Sequence, residues 1–216
     1  MAVSSRSRER IDGAAAEVGG PGFVHDSSDL EGAPALIEAV ETRLGPLDIL
    51  VTNTGGPPAG ADPLGFTREQ WEGAYRELVL APMALVGRAL PGMRERGFGR
   101  VLNVSSSAVR EPIGALMLSN AHRSGLLAAF KTLAREVAGD GVTVNSVLPG
   151  RIATDRILEM AGSREVAERA AADEVPAGRL GTVEELAAVA AFLCSEPASY
   201  VTGTATLVDG GLTRSI

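Results

Sequence analysis

Leu47-Asp-Ile-Leu-Val-Thr-Asn-Thr-Gly-Gly56 is a short, largely apolar run closed by polar and glycine residues. A run of this length ending in turn formers reads as a strand buried on both faces, as in parallel sheets covered by helices. The sequence on either side follows the same rule. Residues 30–44 repeat apolar side chains at helical spacing (Leu36, Ile37, Val40, Leu44). Ahead of them, residues 2–4 and 22–25 read as strands, with a polar helix at 6–18 between them. Downstream, Thr67 and Gln70 form a capping box that opens a helix reaching Arg96. Residues 101–104 read as a strand, followed by a helix over 116–138 with Leu126, Leu127, Phe130, Leu133, Ala134 and Val137 on one stripe. A strand at 142–147, a helix capped by Thr182 with Glu185, and a strand at 204–208 before Asp209-Gly-Gly211 complete the order. Strands alternating with helices predict an α/β fold with a doubly wound parallel sheet, here as a single domain over residues 1–216.

In such sheets ligands bind at the carboxyl ends of the strands. Residues 5–6, Asp26, 53–56, 105–107 and 149–154 are therefore expected along one rim.

Composition narrows the function classes. The chain has 216 residues, 45% hydrophobic and 22% charged, as in an ordinary soluble globular protein. A net charge of −7 argues against nucleic acid and anionic membranes as partners. The longest apolar run, at residues 78–86, is too short to span a bilayer and contains Pro82. The single cysteine, Cys194, excludes a disulfide framework, and with no secretory pattern at the start the expected location is the cytoplasm. No Cys/His cluster has metal-ligand spacing, so no metal site is expected.

Four segments together resemble the short-chain dehydrogenase/reductase family, especially its 3-oxoacyl-carrier-protein-reductase-like branch. Asp48-Ile-Leu-Val-Thr-Asn-Thr-Gly55 is similar to the family strand ending in Asn-Asn-Ala-Gly, and Gly99-Arg-Val-Leu-Asn-Val-Ser-Ser106 to its serine-bearing strand. Val142-Thr-Val-Asn-Ser-Val-Leu-Pro-Gly150 with Thr154 resembles the nicotinamide-side loop, and Tyr200-Val-Thr-Gly203 through Asp209-Gly-Gly211 the C-terminal signature. The resemblance covers essentially the whole chain. It implies a Rossmann-type fold, NADP(H) as cofactor, a small-molecule carbonyl or alcohol substrate entering beneath residues 157–179, and a homodimer or homotetramer paired through helices 67–96 and 116–138, whose Leu78, Leu80, Met83, Leu127 and Phe130 are more apolar residues than one buried face requires.

By the same resemblance Arg6, Asp26, Asn53, Gly55, Gly56, Pro149, Gly150, Ile152 and Thr154 line the cofactor site. Asp26 would accept from the adenine amino group, and the glycines admit close approach of the ligand to the backbone. Arg6 stands where the family meets the adenosine ribose, and the absence of an acidic residue there favours a 2′-phosphate. Arg6 reads equally as a solvated arginine at a helix start, beside Arg8 and Arg10.

Two departures from the family pattern bear on activity. The sequence opens at what resembles the family's second strand, without the first strand and glycine-rich turn that hold the pyrophosphate. The expectation is that the sheet closes across the resulting gap or that these residues are an incomplete version of a longer protein, the second being favoured. Either way cofactor binding is expected to be weakened. The catalytic helix also differs. The family carries Tyr-x-x-x-Lys thirteen residues after its serine; counting from Ser106 gives Ser119 and then Arg123, with Gly125 in register. Neither replaces a phenol and its lysine as a proton donor system at neutral pH. Leu78 stands where the family has an asparagine. His122 could act as a general acid, although it reads first as a solvent-facing or backbone-bonded histidine. Trp71 and Tyr75 read as packing residues. The expected function is an oxidoreductase of doubtful activity; the alternatives are a non-catalytic binding or scaffold protein and an inactive truncated fragment.

Overall fold

The computed structural model describes residues 1–215. Strands β1 (Val3–Ser5) and β2 (Gly22–Val24) form a two-stranded sheet. Strands β3 (Ile49–Thr52), β4 (Gly99–Val104), β5 (Val142–Pro149) and β6 (Ala205–Val208) form a four-stranded sheet in that order. Each neighbouring pair is parallel. The α/β reading is therefore correct, with strand bounds within about two residues at most ends.

Helix α1 (Arg8–Val18) joins β1 to β2; it starts late because Ser7 caps it, its hydroxyl accepting from the Arg10 amide at 3.3 Å. Helix α2 (Ala33–Leu44) follows β2 and packs against α4 (Ala81–Glu95), where Arg88 pairs with Glu41 at 2.8 Å. The predicted helix over 67–96 is broken into α3 (Arg68–Tyr75), a π-turn (Arg76–Leu80) and α4. Pro82 explains the break: it has no amide hydrogen to give the Leu78 carbonyl, and the Ala81 amide reaches back five residues to Arg76 instead. Helix α5 (Met117–Val137) packs on β5 and leads through Gly141 into that strand. Gly141 has φ 73°, and a Cβ there would collide with the Gly97 carbonyl, so this turn requires glycine. Residues 157–179, read from sequence without elements of their own, hold most of α6 (Asp155–Ala161), which ends at Gly162, and α7 (Arg164–Glu174), which ends at Val175 before Pro176. Helix α8 (Val183–Leu193) precedes β6 and keeps the predicted Thr182–Glu185 capping box.

The core has two sides. Leu50, Val86, Met93, Val101, Phe130 and Val144 pack between the sheet and α4–α5, while Leu102, Val147 and Leu193 pack beneath α8. This division corrects the expectation for β3. Leu50 and Thr52 are buried, but Ile49 and Val51 alternate with them at 44% and 50% exposure. Helix α8 covers β4 and β5 and does not extend over β3, while α1 attends β1 and β2. Among the described residues β1 pairs with β2 and β3 with β4, so each leaves its other backbone edge open and the sheet does not close between them.

The apolar residues expected on a helix-pairing surface need correction too. Leu78 and Phe130 are buried within the chain, and Met83 packs on the same core, so these three do not supply a surplus face. No helix among the described residues is long and apolar enough to cross a membrane.

Candidate active-site rim

Because all strands run parallel, their carboxyl ends bring the predicted segments to one side of each sheet. At the β1–β2 end, Arg6 and Asp26 are both exposed and close enough to interact. The Asp26 carboxylate accepts from the Ser28 amide at 2.9 Å, which holds it below the usual carboxylate range, and the Arg6 charge adds to this.

After β3 the chain turns outward at Asn53, which is exposed, into Gly55 and Gly56. After β4 it enters Ser105–Ser107. Ser105 is buried with its hydroxyl unpartnered, and Ser106 caps a short 3₁₀ turn, its hydroxyl accepting from the Ala108 amide at 3.2 Å. Helix α5 packs against this turn and contributes Ser119, 8% exposed, and Arg123. The Arg123 guanidinium donates to the Ser119 hydroxyl at 3.2 Å, the Val104 carbonyl at 3.2 Å and the Gly55 carbonyl at 3.1 Å. One side chain therefore ties α5 to the ends of β3 and β4. Burial pulls the Arg123 guanidinium below its usual range; the charge of Arg156 lowers it further, and that of Glu77 opposes the shift.

After β5, the Gly150 amide donates to the Val208 carbonyl at 3.0 Å. A Cβ on Gly150 would stand 2.6 Å from that of Asp209, so the strand end approaches the β6 turn as only glycine permits. Beyond Pro149 and Gly150, Ile152 bridges Gly181 and is buried against it, so its side chain serves packing while its backbone stays near the rim. Thr154 is exposed at the start of α6 and makes no side-chain cap.

His122 is held by packing between α5 and α3. Its Nδ1 pairs with the Leu118 carbonyl at 2.7 Å, and its ring packs at 5.3 Å from Trp71 and 6.1 Å from Tyr75. Leu78 is buried on the π-turn, which packs against α5. No group of three or more His, Cys, Asp or Glu among the described residues is placed to hold a metal ion.

Two features escaped the sequence reading. Arg156 on α6 lies against Gly56, so closely that a Cβ there would collide with its guanidinium. Its position two residues past Thr154 was the available signal. Asn145, buried on β5, accepts from the Thr204 amide and hydroxyl at 3.0 and 2.9 Å and donates to the Val201 carbonyl at 2.7 Å. That clamp fixes the approach to β6 and explains Asn145, as the bond from the Val144 amide at 3.1 Å explains Thr202; the buried Thr143 and Ser146 hydroxyls have no partner among the described residues.

This arrangement, a parallel sheet with a serine-ended strand beside helix α5, matches known proteins. The family model described as enoyl-(acyl carrier protein) reductase matches residues 1–213. Nodulation protein G of Azospirillum brasilense is 36% identical over 197 residues, 87% of this chain and 74% of that protein. An NADPH-dependent reductase of Bacillus subtilis is 34% identical over 201 residues, 88% of this chain and 76% of that protein. The structure of L-sorbose reductase from Gluconobacter frateurii, complexed with NADPH and L-sorbose, superposes with a TM-score of 0.90 at 30% identity, covering 99% of this chain and 86% of that one. The chain belongs to the short-chain dehydrogenase/reductase family.

Proposed function

We propose that the chain binds NADP(H) along this rim and is a carbonyl/alcohol oxidoreductase by descent whose conventional proton-transfer step is lost. The cofactor is supported by the relatives described as NADPH-dependent or complexed with NADPH. It is also supported by the donor set of this chain. Arg6 and Arg156 are exposed cations on the rim, suited to a polyanionic dinucleotide, and Gly55–Gly56 leaves the backbone open to close approach. Arg6 would meet a 2′-phosphate, Asp26 the adenine amino group, and the Pro149–Gly150 turn the nicotinamide end. When bound, NADPH supplies a hydride.

The observation that carries the catalytic part is the hydrogen bond from Arg123 to Ser119. An aliphatic hydroxyl is far too weak an acid to protonate a forming alkoxide at neutral pH, even with a guanidinium donating to its oxygen. Arg123 keeps its proton even though burial and the charge of Arg156 pull it below its ordinary range. Ser106 can donate to a substrate oxygen and orient it, without completing the proton transfer. A nucleotide-binding protein without redox turnover is the second reading, favoured by the same bond.

The test is a fluorescence titration with NADPH and NADH. Saturable binding is expected, with NADPH tighter than NADH, and Arg6→Ala should reduce that preference by roughly tenfold, the worth of one charged contact to phosphate. Failure of both nucleotides to bind would overturn the reading.

A further inference from the structure

Arg123 and Arg156 reach one point of the rim from two different helices. Arg123 comes from α5 and places Nη2 3.1 Å from the Gly55 carbonyl. Arg156 comes from α6 and lays its guanidinium against the adjacent Gly56. Two cations therefore stand over one glycine pair. Among the described residues neither has a carboxylate within ion-pair distance. All three bonds of Arg123 go to neutral oxygens, and among the described residues the Arg156 side chain makes no hydrogen bond. Glu77 acts on Arg123 from beyond ion-pair reach. Like charges gathered in this way repel until an anion enters between them, and two guanidinium groups match the oxygens of a carboxylate or phosphate in geometry as well as charge.

We propose that Arg123 and Arg156 form one oxyanion site above Gly55–Gly56 that takes a phosphate or carboxylate group of a bound ligand. Arg123 is the fixed half, held by three bonds; Arg156 is exposed and free to swing onto the anion. The anion has two possible sources, a phosphate of the cofactor or an acid group of the substrate. The site rests on the reading of this rim as the ligand site and is independent of turnover.

Isothermal titration calorimetry with inorganic pyrophosphate and with oxalate, at low ionic strength, tests it. Saturable binding is expected, weakened tenfold or more by Arg156→Gln and unchanged by Arg135→Gln, an exposed arginine in the last turn of α5, about three turns past Arg123. Arg123→Gln should weaken it as well; should that variant fail to fold, the exposed Arg156 carries the test alone. Absence of saturable binding to the unmodified chain, or binding by Arg156→Gln equal to it, would overturn the proposal. Repeating the titrations with NADPH present identifies the source. Displacement of both ions supports a cofactor phosphate in the site, and retained oxalate binding supports a substrate acid. A chain that binds NADPH but neither small anion defeats this inference and leaves the proposed function standing; the reverse result defeats the function and keeps the site.

Discussion

Arg123 donates its Nε hydrogen to the Oγ of Ser119 at 3.2 Å, one turn earlier on α5. The bond joins the two positions that the sequence resemblance aligns with the family's tyrosine and lysine, and it fixes the Ser119 hydroxyl against a cation. The same guanidinium reaches Val104 and Gly55, so the substitution is built into the junction of α5 with β3 and β4. Replacing Arg123 by lysine alone would give up these forked contacts, because an ammonium cannot serve three separated acceptors in one plane.

The two faces of β3 should respond differently to truncation. Leu50→Ala, on the core side, is expected to cost about 2–4 kcal/mol in urea unfolding. Val51→Ala, on the open side, should cost less than about 1 kcal/mol. Similar costs at both positions would show that β3 is covered on each face in solution.

Acid should loosen the start of α8 through Glu185. Its bond to Arg179, with help from the Thr182 amide, lowers its pKa from 4.5 to about 2. A carboxylate depressed on folding stabilises the fold above its unfolded pKa, and that contribution disappears as pH falls from about 4.5 through about 2. Thermal melts across this window should show the unmodified chain losing more of its stability than Glu185→Gln. Parallel curves for the two proteins would remove Glu185 from the acid response.

How much of this was legible in the sequence depends on the residue. The capping boxes Thr67–Gln70 and Thr182–Glu185 are local hydrogen-bond patterns, so they survived intact. The rim segments followed from strand direction alone. The exposure of Ile49 and Val51 did not, because an apolar run reports the affinity of its side chains for cover and not whether a helix reaches them. Leu78 and Phe130 were misjudged for the reverse reason: helical spacing counts apolar residues without showing how wide the partner surface is. Arg156 lay beyond the quoted rim and is brought to Gly56 by the path of α6, which spacing does not encode.

His122 should prove structural. With Nδ1 bonded to the Leu118 carbonyl and its ring against Trp71 and Tyr75, it anchors α5 to α3. His122→Ala is expected to lower stability by about 1 kcal/mol, the scale of an aromatic pair, and to leave NADPH affinity within about twofold. A selective loss of nucleotide binding with unchanged stability would place this side chain in the site after all.

The most direct test of the lost proton transfer is single-turnover oxidation of NADPH by the unmodified chain at saturating nucleotide, with L-sorbose and with a 3-oxoacyl thioester. Ser119 and Arg123 leave out general acid catalysis worth roughly 10²–10⁴-fold. The account predicts NADPH binding with no oxidation measurable above the protein-free rate. Rapid, saturable oxidation by the unmodified chain, abolished by His122→Ala, would contradict it and make His122 the acid.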